Sequence, residues 1–168
     1  MSRCLSLLSM LLSILLMGCS MPTTAIPSNS TSNSQTPPPE NLGQKLPITA
    51  KAILPNGTTI QLEVAKTAKQ QAMGLMYRPA LPDDRGMLFP FPSAQPVSFW
   101  MKNVPVALDM VFLQNGVVKY IQPAAPPCAN EPCPTYGPNT PIDKVIELRS
   151  GRAAELNLKV GDTIKIEP

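Results

Sequence analysis

Val97-Ser98-Phe99-Trp100-Met101-Lys102-Asn103-Val104-Pro105-Val106-Ala107-Leu108-Asp109-Met110-Val111-Phe112-Leu113 is the segment from which the architecture can be worked out. It reads as two strands joined by a short proline-containing connection. Side chains alternate along a strand, so Val97, Phe99 and Met101 face one way and Ser98, Trp100 and Lys102 the other. In the second strand Leu108, Met110 and Phe112 oppose Asp109, Val111 and Leu113. Bulky apolar groups fall on both faces, which predicts strands covered on both sides. The only tryptophan of the chain, Trp100, lies here beside one ammonium, one amide and one carboxylate. Lys102 and Asp109 flank the connection, where they can meet. A charge in such a run needs a partner or a ligand, because burying it alone is prohibitive.

Working outward, the pattern is of short strands and tight turns. Residues 47–54 alternate as a strand, Asn56-Gly57 suits a two-residue hairpin turn, and residues 58–65 return. Thr67 and Gln70 form a capping-box pattern ahead of a helix over about 68–75, with Gly74 near its end. Residues 87–91 read as a short strand that Pro90 places near an edge or a bulge. Asn115-Gly116 predicts another hairpin into 117–121, and 143–148 reads as a strand. Ser150 can cap a short helix, and Gly161-Asp162 turns the chain into a last strand over 163–167. The predicted fold is mainly β: an antiparallel sandwich of jelly-roll type or a small closed barrel, with one or two short helices.

The front of the chain reads as an address. Arg3 precedes an uncharged apolar run from Leu5 to Met17, the pattern of a secretory signal and too short to prefer a spanning helix. It ends in Leu16-Met17-Gly18-Cys19, which resembles a bacterial lipobox; the expectation is a signal peptide over 1–18 and lipidation of Cys19. An ordinary signal peptide with Cys19 incidental is the alternative. Residues 19–46 are rich in Ser, Thr, Asn and Pro and lack the apolar groups that offset ordering entropy. They are expected to form a disordered tether spanning roughly 30 Å. Residues 47–168 then make one domain. The partner this implies is a membrane, through the anchor at Cys19, with the domain facing the periplasm or the outer surface.

Composition excludes several classes. Histidine is absent, which removes Ser-His-Asp, Cys-His and His-ligated metal chemistry. A net charge of +3 without any basic run does not argue for nucleic acid. The 21 prolines concentrate in the front segment and between Pro123 and Pro141, marking linkers and long connections. That long loop carries Cys128 and Cys133. In an exported protein such a pair is most simply a disulfide; zinc would need two more ligands, and the spacing is not that of a redox Cys-x-x-Cys. No metal and no cofactor is implied.

Phe99-Trp100-Met101-Lys102-Asn103 with Leu108-Asp109 resembles the signature of the DUF192 family, a widespread bacterial and archaeal family of unknown function. Gly74-Leu75-Met76-Tyr77-Arg78, Gly86-Met87-Leu88-Phe89 and Gly161-Asp162 add to the likeness, which runs from about Ile48 to Glu167. The resemblance implies a compact β-rich domain of sandwich or jelly-roll type and no established reaction. The polar or oddly placed residues within it are Arg78, Trp100, Lys102, Asn103, Asp109 and Glu147. One reading groups them in a cleft, where Trp100 stacks on a sugar or another small polar ligand and the others orient its polar groups. The other makes Trp100 core, pairs Lys102 with Asp109 and pairs Arg78 with Glu147, the ion pairs serving geometry alone. Three functions follow: a non-catalytic small-ligand or glycan-binding module, an accessory protein using loop 123–141 as its contact surface, or a carboxylate-based hydrolase using Asp109 with Glu63 or Glu147. The first is preferred, because no motif selects a catalytic pair.

Overall fold

The computed structural model describes residues 43–168. The expected signal peptide, Cys19 and most of the tether lie outside the described residues. Nine strands and two short helices follow in order: β1 (Ile48–Ile53), β2 (Thr59–Val64), α1 (Ala68–Met73), β3 (Arg85–Gln95), β4 (Phe99–Trp100), β5 (Leu108–Gln114), β6 (Val117–Ala125), β7 (Thr135–Tyr136), β8 (Ile142–Arg149), α2 (Arg152–Glu155) and β9 (Lys165–Glu167). Seven strands form one sheet in the order β6-β5-β8-β3-β2-β1-β9, and β4 pairs with β7 in a separate two-stranded ribbon. The fold is mainly β, as expected.

The sheet is mixed rather than antiparallel throughout. β2 and β3 run parallel, with Gln61 opposite Arg85 and Val64 opposite Leu88. Parallel neighbours need a crossover, and α1 with the turns after it supplies one. The capping box forms as the sequence predicts: the Thr67 hydroxyl accepts from the Gln70 N–H, and the Gln70 side chain accepts from the Thr67 N–H. Pro90 lies at a register break between β3 and β8, so it marks a bulge inside the sheet and not an edge. Gly86 sits where a Cβ would stand 3.0 Å from the Glu147 carbonyl and from the Leu62 and Leu148 side chains. A side chain there would force central strands apart.

The sheet curls until its edges approach. Val117 and Thr163 form an isolated bridge, Val118 donates to the Asp162 carbonyl, and Ile164 donates to the Gly116 carbonyl. The sheet nevertheless does not close into a barrel. One core cluster gathers Ile60, Leu62, Val111, Val118, Ile146 and Ile164, with Ala153 of α2 and Leu156 just after it packed against them. A second, on the other face, gathers Met87, Phe89, Met101, Met110, Phe112 and Val145. β5 contributes to both, and its residues Leu108 to Leu113 are all buried, as the apolar character of both faces requires.

The first half of the quoted segment departs from expectation. Only Phe99 and Trp100 are in strand, and they pair with Tyr136 and Thr135, outside the main sheet. Residues after Trp100 turn instead of continuing, and Asn103 adopts φ 56°. Asp109 is therefore far from serving Lys102. Its buried Oδ1 accepts from the Ala124 N–H (2.8 Å) and the Gly151 N–H (3.0 Å), and its Oδ2 accepts from the Ala153 N–H (2.8 Å). The expected Lys102–Asp109 ion pair does not form. Asp109 reaches over from β5 to cap α2, whose N-cap, Gly151, has no side chain to do so. The cap expected from Ser150 is thus supplied from another element.

Asp109→Ala strands three backbone donors in the interior. It should lower unfolding free energy by roughly 3 kcal/mol or more, read as a fall in the urea midpoint, while Asp109→Asn, which keeps one acceptor, loses less.

Candidate functional site

The remaining candidate residues sort into two groups. Arg78 and Asn103 serve the scaffold. The Arg78 guanidinium forks onto Glu63 at 2.7 and 2.8 Å and also donates to the Gln44 carbonyl. The Leu46 N–H donates to the same Glu63 carboxylate at 2.8 Å. This pair docks residues 44–46, expected to be tether, onto the domain. Burial would raise the Glu63 pKa, but the hydrogen bonds from Arg78 and Leu46 and the charges of Arg78 and Arg85 outweigh it and hold the carboxyl below its ordinary value. The expected Arg78–Glu147 pair does not form, because Glu63 takes Arg78. The Asn103 carbonyl accepts from the Tyr77 N–H at 2.8 Å, so this residue ties its turn to the segment after α1.

Trp100, Lys102 and Glu147 come together. Trp100 is 49% exposed and is not core. It stands on the wall of an open cleft of about 330 Å³ whose apolar lining includes Phe89, Phe91, Val97 and Phe99, and which Gln71 of α1 also lines. Gln71 is fixed there by donating its amide to the Pro90 carbonyl at 2.8 Å. Phe89 and Phe99 meet edge to face at 5.1 Å, and Phe99 meets Phe112 the same way at 5.9 Å, so the wall is continuous with the core. A narrower pocket of about 30 Å³ shares Gln71, Phe89, Phe99 and Trp100 and is also lined by Lys102 and Glu147. Such a volume holds about one water-sized group.

The two charged residues of this pocket differ. Lys102 is partly exposed, pairs with Glu131 and lies 5.6 Å from the centroid of the Trp100 ring, a cation–π distance. Glu147 is 5% exposed, and its Oε2 is buried without a hydrogen-bond partner. On β8 its cross-strand neighbours are Met87 and Met110, neither of which can donate to it through a side chain. Burial pushes its carboxyl up to about 8, so it carries a proton at neutral pH.

The cysteine pair frames the cleft from outside. Cys128 and Cys133 form the expected disulfide, with Cα atoms 5.5 Å apart. The loop it closes carries Glu131, the partner of Lys102, and leads directly into β7, the partner of Trp100. A Cβ on Gly137 would lie 2.4 Å from the Val97 carbonyl, so only glycine lets this loop lie against the cleft wall.

The sequence did not point to Gln71, Phe89, Phe91 or Phe99 as cleft residues. Phe89 and Phe91 fall two apart on β3, which signals a shared face, but nothing in their spacing says that this face is left partly open. The carboxylates proposed for hydrolysis are not gathered: Asp109 caps α2, Glu63 holds Arg78, and of the three only Glu147 lines the narrow pocket beside the cleft.

A family model, that of DUF192, described as uncharacterized ACR, matches residues 51–166. Two solved structures are similar. One is a protein of Sinorhizobium meliloti 1021, provisionally described as a transcription regulator, with 31% identity and a TM-score of 0.62, covering 73% of this chain and 97% of its own. The other, from Novosphingobium aromaticivorans DSM 12444, is a protein of unknown function, with 31% identity and a TM-score of 0.60, covering 69% of this chain and 82% of its own. No curated protein shows significant similarity to the chain.

The folded pKa of Glu147 lies above the ordinary value of 4.5, so the folded state keeps a proton that the unfolded chain releases. The stability linked to this group is full below about pH 4.5 and is lost as pH rises towards 8. Unfolding free energy of the wild type should therefore decline over that window by an amount on the order of a few kcal/mol. Glu147→Gln should abolish this decline, measured by urea unfolding at pH 5, 7 and 9.

Proposed function

The chain belongs to the DUF192 family, and we propose that it is an exported, lipid-anchored, non-catalytic module whose Trp100 cleft binds a small polar ligand, glycans being the preferred class. The observation that carries this reading is the position of Trp100. A large aromatic side chain placed at the mouth of a concave apolar site, with an ammonium, an amide and a carboxyl nearby, is what recognition of a ring with polar substituents needs. The ring face supplies contact area, and the polar groups supply orientation.

The hydrolase reading is weakened by the same geometry. Glycoside hydrolysis by paired carboxylates needs two of them flanking one bond, and the cleft with its narrow pocket is lined by one. The regulator description of the Sinorhizobium relative is not carried over, because a net charge of +3 with no basic run gives no argument for binding a phosphate backbone. A second reading keeps the accessory role for loop 123–141. It is favoured by the way the disulfide and the Lys102–Glu131 pair hold an exposed proline-rich loop in one shape.

Export and anchoring rest on Leu16-Met17-Gly18-Cys19 following an apolar run. A lipid at Cys19 and a tether would keep the cleft close to the envelope surface, where glycans are concentrated. Cys19→Ser should move the protein from the membrane fraction to the soluble fraction of fractionated cells; retention in the membrane would overturn the anchor.

Because Trp100 is the only tryptophan, its emission reports the cleft directly. The full chain in detergent, titrated with N-acetylglucosamine and envelope oligosaccharides, should show a saturable change. Trp100→Ala should weaken binding at least about tenfold by calorimetry with the far-ultraviolet spectrum unchanged. Binding that survives this substitution would remove the cleft from the function.

A further inference from the structure

Among the described residues, two carboxylates bury an oxygen without a partner, Asp143 and Glu147; Asp143 is held through its other oxygen by the Asn115 N–H and Lys144, whereas the Glu147 side chain has no hydrogen bond. Every other buried or half-buried carboxylate described above has partners: Asp109 has three N–H groups, and Glu63 has Arg78 and the Leu46 N–H. Glu147 has an oxygen buried without one, on the lining of a pocket that opens beside Trp100. An unpaired buried polar group costs free energy that a satisfied or apolar residue would not. An apolar residue in this place would avoid that cost.

We propose, building on the cleft reading above, that Glu147 is a specificity-determining residue which, in its protonated form, donates a hydrogen bond to an uncharged oxygen of the ligand, a hydroxyl or a carbonyl, set into the narrow pocket while the ring lies against Trp100 and Phe99. The pocket volume of about 30 Å³ admits one such group. The charges around it select against a cation. The titratable groups lining the pocket are Glu147 itself and Lys102, whose ammonium stands beside Trp100. β3 presents Met87 and Phe89, β5 presents Met110, and α1 presents Gln71, none of which titrates. Lys102 is engaged by Glu131 and gives Glu147 no hydrogen bond; with burial holding its pKa near 8, the carboxyl acts at neutral pH as an O–H donor. A ligand amine would have to pass Lys102 and ionise Glu147 in an apolar setting.

The test follows Trp100 emission of the full chain in detergent from pH 6 to 9.5, using N-acetylglucosamine, methyl β-glucoside and glucosamine as probes. At pH 6.5, where the glucosamine amine is protonated, the two neutral sugars should bind at least about tenfold more tightly than glucosamine. Above pH 8 their affinity should fall about tenfold per unit as the donor is lost. Glu147→Gln, whose amide still donates, should bind within about threefold of wild type at pH 6.5 and show no such fall. Glu147→Leu should bind about tenfold more weakly or worse. A preference for glucosamine, an unchanged pH dependence in Glu147→Gln, or full binding by Glu147→Leu would overturn this role while leaving the cleft as a binding site. No saturable response to any of the three sugars would overturn the cleft reading, and the role of Glu147 with it.

Discussion

The buried carboxylate of Asp109 is the interaction on which the rest of the arrangement depends. From β5, next to the edge strand β6, it accepts hydrogen bonds from the backbone of β6, of the turn after β8 and of α2. A charge taken out of water is tolerable when several oriented dipoles replace its hydration. Here the dipoles come from parts of the chain 15 to 44 residues away. One side chain therefore sets where α2 begins and how β6 bends through Ala124, which takes φ 44°. α2 then packs Ala153, and Leu156 just after it, onto the inner core cluster.

The outer face follows a different logic. Its core is covered by short pieces: α1, the turns around Asn103, and the β4–β7 ribbon. Such pieces cover a sheet less completely than a second sheet would, and the cleft is the part they leave open. Trp100 stands there because β4 lies outside the main sheet and pairs with β7. The disulfide and the Lys102–Glu131 pair hold β7 and its loop in place beside it. The position of the tryptophan is therefore tied to a loop far along the chain.

Much of the scaffold could be read locally. Asn115-Gly116, the Thr67–Gln70 capping box and the Cys128–Cys133 disulfide are decided by residues close in sequence, and each formed as expected; Asn56-Gly57 also turns a hairpin, but through a three-residue loop that includes Pro55. The apolar character of both faces of β5 foretold burial on both sides. The charged residues were a different matter. Lys102 met Glu131, Arg78 met Glu63, Asp109 met backbone, and Glu147 met nothing. The sequence-based pairings joined Lys102 to Asp109 and Arg78 to Glu147. Long-range register chose otherwise.

Sequence alone determined that this is a mainly β domain with short helices, where its tight turns fall, which residues are apolar enough to make its core, and that no histidine chemistry is available. Those properties depend on side-chain periodicity and on backbone preferences that act within a few residues. Tertiary structure alone decided that one strand pair is parallel, that Asp109 is a helix cap, that Trp100 is exposed, and that Glu147 stands unpaired beside it. Those depend on which strands become neighbours, and a carboxyl has the same identity in the sequence whether it meets three N–H groups or an empty pocket. Only the packing around it sets its proton and its role.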